Sequence, residues 1–252
     1  MYRERRSRVP RTVLWRGRAD GADEAEQRVL PDGCIDLIRV DGTLLVAGPD
    51  TAAHSAVWRP DHDIIGLRFA PGTGPTIVGV AAHELRDQRI PLTDLWGSAR
   101  ARRLTDLIAA SSNPAATLED IALQRLDDAV PPDPELSAIT DLARAGATVT
   151  ETARTLGLGE RRLHRRCRSA FGYGPKTLSR ILRMHRALAM ARTGVPWATT
   201  AVTVGYADQA HLTREVTALA GVAPTVLVPH PPGADSGANR STLLPSGSPS
   251  TA

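Results

Sequence analysis

Between positions 147 and 228 the chain uses one short design twice: a brief helix, a glycine-containing turn, then an amphipathic helix. Thr148 or Thr150 can cap the first helix, through Ala153 to Leu156, and Gly157-Leu158-Gly159 turns the chain. The next helix, Glu160 to Phe171, places Leu163, Cys167, Ala170 and Phe171 at i, i+4, i+7 and i+8, one apolar stripe. Its other face carries Arg161, His164, Arg165 and Arg168. In the second copy Pro196 opens a helix through Ala201 and Val202, Gly205-Tyr206-Ala207 turns, and Asp208 caps a helix with Leu212, Val216 and Leu219 inward. Gln209, Ala210, His211 and Arg214 are expected to face outward.

A short helix, a tight turn and a helix with a cationic face make a helix-turn-helix, whose second helix enters the major groove of DNA. One such unit is equally well an ordinary helical hairpin with a solvated basic face. The second copy shifts the balance. Pro175 opens a connecting helix to about Thr193, with Leu178, Ile181, Leu182, His185, Leu188 and Ala189 along one face. Its length of about 28 Å approaches the roughly 34 Å between successive major-groove faces on one side of B-DNA. One connecting helix can therefore hold two readers in adjacent turns without a partner chain. The charge agrees: the formal net charge of the whole chain is only +4. Residues 147–228 nevertheless carry 12 basic and 4 acidic side chains, whereas residues 1–146 carry 18 basic and 22 acidic.

The acidic half reads differently. Val29-Leu30 leads through Pro31-Asp32-Gly33 to Cys34–Val40, then Asp41-Gly42, then Thr43–Ala47. Asp-Gly between two β-prone runs is a strong hairpin signal, because both central residues of a type I′ turn need positive φ. Ala53–Trp58 and Asp63–Phe69 are further strands, so residues 1–92 are expected to form a small antiparallel β sandwich or barrel, cupin-like in outline. Helical spacing follows over residues 93–146. Thr93 or Asp94 caps a helix through Leu95, Ala99, Leu104, Leu107 and Ile108. A second runs from about Thr117 to Pro131-Pro132, and Asp133-Pro134-Glu135 starts a third that Gly146 ends. Residues 229–252, rich in Pro, Gly, Ser and Thr, are expected to be a disordered tail. The predicted class is thus α+β, with a helical connector and an all-α double helix-turn-helix domain.

Residues 147–228 resemble the DNA-binding domain of AraC/XylS-type transcriptional regulators. The resemblance rests on Gly172-Tyr173-Gly174-Pro175, on Arg183-Met184-His185-Arg186-Ala187, and on Val204-Gly205-Tyr206-Ala207-Asp208-Gln209 running to Gly221-Val222-Ala223-Pro224. The chain departs from that pattern at Thr200, where a residue like Ile is usual, and at Cys167, often aromatic. The acidic half, with Leu30-Pro31-Asp32-Gly33-Cys34-Ile35-Asp36-Leu37, Ala47-Gly48-Pro49-Asp50 and Pro91-Leu92-Thr93-Asp94-Leu95-Trp96-Gly97, is similar to an uncharacterised domain found joined to such regulators. The resemblance implies double-stranded DNA as partner, and RNA polymerase if the chain activates. It implies no particular ligand.

Base-edge contacts are expected from Arg161, His164 and Arg165 on the first reader and from Gln209, His211 and Arg214 on the second. Arg matches guanine O6/N7 and Gln matches adenine N6/N7. Arg162, Arg166, Arg168, Lys176 and Arg180 are candidates for phosphates. Trp15, Cys34, Trp58, Phe69 and Trp96 are candidates to line an effector pocket for a small molecule, and the helices of the connector are candidates for a homodimer contact.

An enzymatic alternative is a thiol- or metal-dependent sensor or repair protein using Cys34 or the histidines His54, His62 and His83. However, the two-His-and-Glu spacing of a metal cupin is absent, as is His-Glu-x-x-His, so neither a metal nor another cofactor is expected. Gly72-Thr73-Gly74 lacks the downstream Gly-Lys-Ser/Thr of a phosphate loop. Cys34 and Cys167 lie in different predicted domains and are expected to be free thiols. Hydrophobic residues make up 42% of the chain and charged residues 23%, with no apolar run near about eighteen residues. No apolar run follows the arginines of the first eleven residues to make a secretory signal, so the expectation is a cytoplasmic protein without membrane contact.

Overall fold

The computed structural model describes residues 2–18, 24–60, 62–130 and 133–229. The expected tail therefore lies outside the described residues, apart from Pro229, as does the Pro131-Pro132 stop. In chain order the elements are β1 (Tyr2–Arg6), β2 (Thr12–Gly17), β3 (Ala25–Val29), β4 (Ile35–Val40), β5 (Thr43–Ala47), β6 (His54–Trp58) and β7 (Ile64–Phe69). The order continues with α1 (Gly74–Val78), α2 (Ala82–Leu85), β8 (Arg89–Pro91), α3 (Leu92–Trp96), α4 (Ser98–Ala109), α5 (Pro114–Asp127) and α6 (Pro134–Ala145). The last elements are α7 (Val149–Thr155), α8 (Glu160–Phe171), α9 (Pro175–Arg192), α10 (Trp197–Val204), α11 (Gln209–Ala220) and α12 (Pro224–Leu227).

The amino-terminal half is an antiparallel six-stranded sheet in the order β1-β2-β7-β4-β5-β8, accompanied by a separate two-stranded ribbon, β3-β6. The predicted hairpin is present: Val40 pairs with Thr43 and Asp36 with Ala47, and Asp41 and Gly42 take φ of 50° and 69°. The sheet keeps β1 and β8 as edges, so its pairing does not close into a barrel. Leu14, Leu67, Leu37 and Val46 stand in register across four strands. With Phe69 they bury one face against α1, α2, α4 and α5. Period-two alternation sends the next residues to the opposite face, where Trp15, Ile64 and Ile38 meet Trp58, Val29 and Ala56 of the ribbon. Arg68 also lies there, 3.2 Å from Asp36, which accepts the Trp15 indole N–H at 2.8 Å. Removing one partner of so buried a pair would strand the other charge.

Two helical expectations change. The helix foreseen from Thr93 or Asp94 through Ile108 is two helices, α3 and α4. Gly97 separates them at φ 81° and ψ 147°, outside any helical region, and no side chain caps either helix. Leu107, assigned to the apolar side, is exposed. The second helix starts earlier than foreseen, at Pro114, with the Asn113 side chain accepting from the Ala116 N–H. The third matches, with Asp133 as cap and Gly146 in the left-handed region. Helix α6 packs into the carboxy-terminal core beside α9, which also takes in Leu30 from the amino-terminal half.

Candidate nucleic-acid interface

Both predicted units form. Thr148 caps α7 with a reciprocal capping box: its hydroxyl accepts from the Glu151 N–H, and Glu151 accepts from the Thr148 N–H at 2.8 Å. Those hydrogen bonds from Thr148 hold the Glu151 carboxyl below its ordinary value. Gly157 turns the chain at φ 63°. Thr150 then donates to Glu160 at 2.7 Å, tying the two helices together. On α8, Leu163, Cys167, Ala170 and Phe171 are all buried. Burial pushes the Cys167 thiol up to about 12, so it is an inert core group. In the second unit Gly205 ends α10 at φ 89°, and Asp208 accepts the His211 N–H at 2.6 Å. Leu212, Val216 and Leu219 face the core. Thr200, one of the two departures, is fully buried, and its hydroxyl reaches the Val195 carbonyl at 3.3 Å.

The outward faces differ from expectation in detail. Arg161, Arg162, Arg165 and Arg168 on α8 are exposed, and among the described residues no carboxylate meets them. His164 is exposed but lies over Gly174, where a Cβ would stand 2.7 Å from its Nε2. Arg166 is turned the other way, paired with Asp133 and, at 3.0 Å, with Glu135 at the start of α6. Gln209 and Arg214 on α11 are exposed. His211, foreseen facing outward, is only half-exposed. Its ring stands edge-on to Tyr206 at 5.3 Å, and its Nδ1 accepts from the Ala207 N–H at 3.3 Å.

Arg180 bonds Glu215 at 2.7 and 3.3 Å, locking α9 to α11 instead of facing outward. Lys176 is exposed. Together with Arg183 these two line a groove of about 690 Å³ between the start of α7, α9 and α11. Arg183, absent from the expected contacts, lies 5.4 Å from the Tyr206 ring centre. The signal for it was present, since Lys176, Arg180 and Arg183 recur at i, i+4 and i+7 on one helix. Helix α9 has 18 residues, which is about 27 Å at 1.5 Å per residue.

The effector-pocket candidates do not converge. Trp15 and Trp58 share the space between sheet and ribbon with Tyr2, whose ring centre is 6.0 and 6.4 Å from theirs. Cys34 adjoins it beside Asp32, Asp36 and Arg68. Burial, followed by the Asp32 charge, holds its thiol well above its ordinary value, the reverse of an activated nucleophile. Phe69 is buried on the opposite face of the sheet. Trp96 lies among the helices, donating to the Val78 carbonyl at 2.7 Å, with Arg125 4.9 Å from its ring centre. His54 contacts Asp50 and Arg89, and His62 contacts Asp41. Among the described residues no group of three or more His, Cys, Asp or Glu is placed to hold a metal ion. None of the described helices is long and apolar enough to cross a membrane.

Residues 152–228 match the family model described as a helix-turn-helix domain. This segment is an AraC-type helix-turn-helix domain. The AraC-type domain is a DNA-binding domain of transcription regulators. Residues 12–91 match a second model, described as a domain of unknown function, DUF6597. Among curated proteins the chain is similar to an aldo-keto reductase, dtxS3, of Metarhizium robertsii: 37% identity over 81 residues, 31% of this chain and 20% of that protein. The chain thus spans about a fifth of the length of that relative. Among solved structures it is similar to ToxT from Vibrio cholerae, with TM-score 0.47 and 10% identity over 85% of this chain and 96% of that one. It is also similar to the C-terminal domain of AraT, a response regulator from Geobacillus stearothermophilus, with TM-score 0.35 and 20% identity over 38% of this chain and 84% of that one.

Proposed function

We propose that the chain is a sequence-specific transcription regulator of the cytoplasm, without catalytic activity, that places α8 and α11 in successive turns of the major groove. The observation that carries this reading is the row of exposed arginines on α8 that meet no carboxylate among the described residues, on a helix that the AraC-type domain orients as a reader. Arg161, His164 and Arg165 read bases from the first unit, and Gln209, His211 and Arg214 from the second. Arg162, Arg168, Lys176 and Arg183 meet phosphates. Arg166 and Arg180 hold elements in place through their carboxylate partners. Domain limits of 1–92, 93–146 and 147–228 fit this division of labour, with α6 and Leu30 crossing into the last core. A small-molecule effector would enter between sheet and ribbon at Trp15 and Trp58, beside Cys34. A second copy and RNA polymerase are the protein partners that this reading adds.

The test is selection of duplexes from a random library by the purified chain, followed by fluorescence anisotropy across a salt series. With about four phosphates neutralised, log affinity falls against log salt with a slope of about −3.6. A flat salt response, or no enriched sequence, overturns the proposal.

A further inference from the structure

The amino-terminal half holds the AraC-type domain at three places, one for each of its parts. The ribbon holds the end of α11. The Ala53 N–H, just before β6, donates to the Leu219 carbonyl at 2.7 Å, and Arg28 of β3 donates to the Ala220 carbonyl at 3.2 Å. The six-stranded sheet and its attached helices hold the end of α8. Pro49, which follows β5, and the Ala82 carbonyl of α2 close on Gly172, where an added Cβ would come within 2.6 and 3.2 Å of them. Gly172 also has φ 86°, so no side chain fits there on either count. Arg86 reaches the Gly172 carbonyl at 3.4 Å, and Gly72, after β7, faces Phe171. The segment joining ribbon to sheet holds α9, which itself joins the two readers. Leu30 is buried in the α9 core, and the Pro31 carbonyl accepts from His185 Nε2 at 2.7 Å.

Among the described residues no backbone ladder joins ribbon and sheet. The Trp58 indole lies flat on Gly17 of β2, where a Cβ would stand 2.4 Å from the ring. Deep in the same ribbon, Gln27 is 6% exposed, and its Oε1 has no partner.

We infer that the two layers of the amino-terminal half are matched one to one with the two reading units, so that the separation of sheet and ribbon sets the placement of α11 relative to α8. The joint between the layers and the joint between the readers are pinned to each other at Pro31 and His185. Anything that parts Trp58 from Gly17 moves α11 while leaving α8 with the sheet. The consequence for DNA rests on α8 and α11 being the DNA-contacting helices, whereas the mechanical matching does not.

The experiment uses the full chain, with spin labels on noncanonical residues replacing Ser169 of α8 and Ala218 of α11, both exposed. Distances between them are read by electron–electron resonance in the parent chain, in Gly17→Leu, which wedges the layers apart, and in Arg28→Ala, which loosens the ribbon from α11. Gly17→Leu must clear at least about 1 Å to restore van der Waals spacing, so its mean distance shifts by about that much or more. Arg28→Ala broadens the distribution. If Gly17→Leu does not fold, Arg28→Ala alone decides. Distributions superimposing on the parent in every folded variant overturn the inference.

In parallel, a duplex selected by the parent chain is compared with one whose second half-site is scrambled. Either variant should lose at least about fivefold on the full site and keep its affinity for the first half-site, a coupling of about 1 kcal/mol or more. Equal loss on both duplexes overturns the link to DNA. A distance shift in a chain that selects no sequence overturns the regulatory reading and leaves the matching of layers to units standing.

Discussion

The reading helix of the first unit presents Arg161, Arg162, Arg165 and Arg168, which meet no carboxylate among the described residues, and that of the second presents Arg214 with Gln209. The same backbone design thus carries two electrostatic loads. Point charges on a polyanion supply affinity without regard to sequence, while an amide or a single guanidinium facing base edges supplies discrimination. On the proposed reading the first unit, with Arg162 and Arg168 on phosphates beside Arg161 and Arg165 on bases, carries more of the affinity than the second. Their fixings differ in which neighbour supplies them. Helix α8 is seated by its buried stripe, by the glycine turns at 157 and 172, and by Arg166 on Asp133 and Glu135 at the start of α6. Helix α11 is seated by its buried stripe, by Arg180–Glu215 and by Arg183 over Tyr206, both reaching it or its turn from α9.

The contrast is broken most strongly from the first unit. Arg161→Ala with Arg165→Ala should cost roughly 3–5 kcal/mol of binding and relax selectivity at two base pairs, as read by anisotropy on a selected duplex. A loss no larger than that of a single α11 change would show the two units to be equivalent. Arg214→Ala should cost roughly 1–3 kcal/mol and relax selectivity at one base pair, leaving the salt slope within about one. Repeating the selection with this variant checks the point, and an equal loss on every sequence would reassign Arg214 to a phosphate.

How much of this could be read from the sequence follows from which forces are local. Caps, glycine turns and 3.6-residue stripes are set within a few residues, so α6 to α11 stand within a residue or two of where the pattern puts them. The Asp41-Gly42 hairpin is legible for the same reason. Strands β1 and β2 were not. The arginine-dense run from Arg3 to Arg18 hides the alternation, and the half-exposed Arg5 and Arg8 meet the buried Glu119 across more than a hundred positions. Burial pushes that Glu119 carboxyl up, but hydrogen bonds from Arg5, Ser7 and Arg8 outweigh it and bring it to about 2. Arg166 and Arg180 illustrate the same limit at the interface. Their residue type makes them phosphate candidates, while their carboxylate partners come from the start of α6 and from α11 by tertiary packing that no local pattern encodes. Trp15, Trp58, Phe69 and Trp96 are alike as large aromatic side chains, and residue type does not say that the first two enter the space between sheet and ribbon and the last two the core on the other face of the sheet.

The Arg180–Glu215 pair offers the finest way to separate the two units, because it touches only the second. Hydrogen bonding to Arg180 lowers the Glu215 carboxyl below its ordinary value of 4.5, against a smaller opposing effect of burial. A carboxyl lowered on folding contributes stability that is present above its unfolded value and is lost as pH falls through the folded one. The attachment of α11 to α9 should therefore hold at neutral pH and weaken from about pH 4.5 downward. Both side chains keep about a third of their surface in water, so solvent screening holds the effect to about 0.5–1 kcal/mol. Glu215→Gln should reproduce this loss at pH 7 as a small drop in melting temperature and a few-fold weaker hold on the second half-site, with the first half-site unaffected. It should also melt with a shallower dependence on pH between about 5 and 3 than the parent chain. Parallel melting curves for parent and variant across that window would mean that the pair is solvated in solution and that α11 keeps its place on α9 without it.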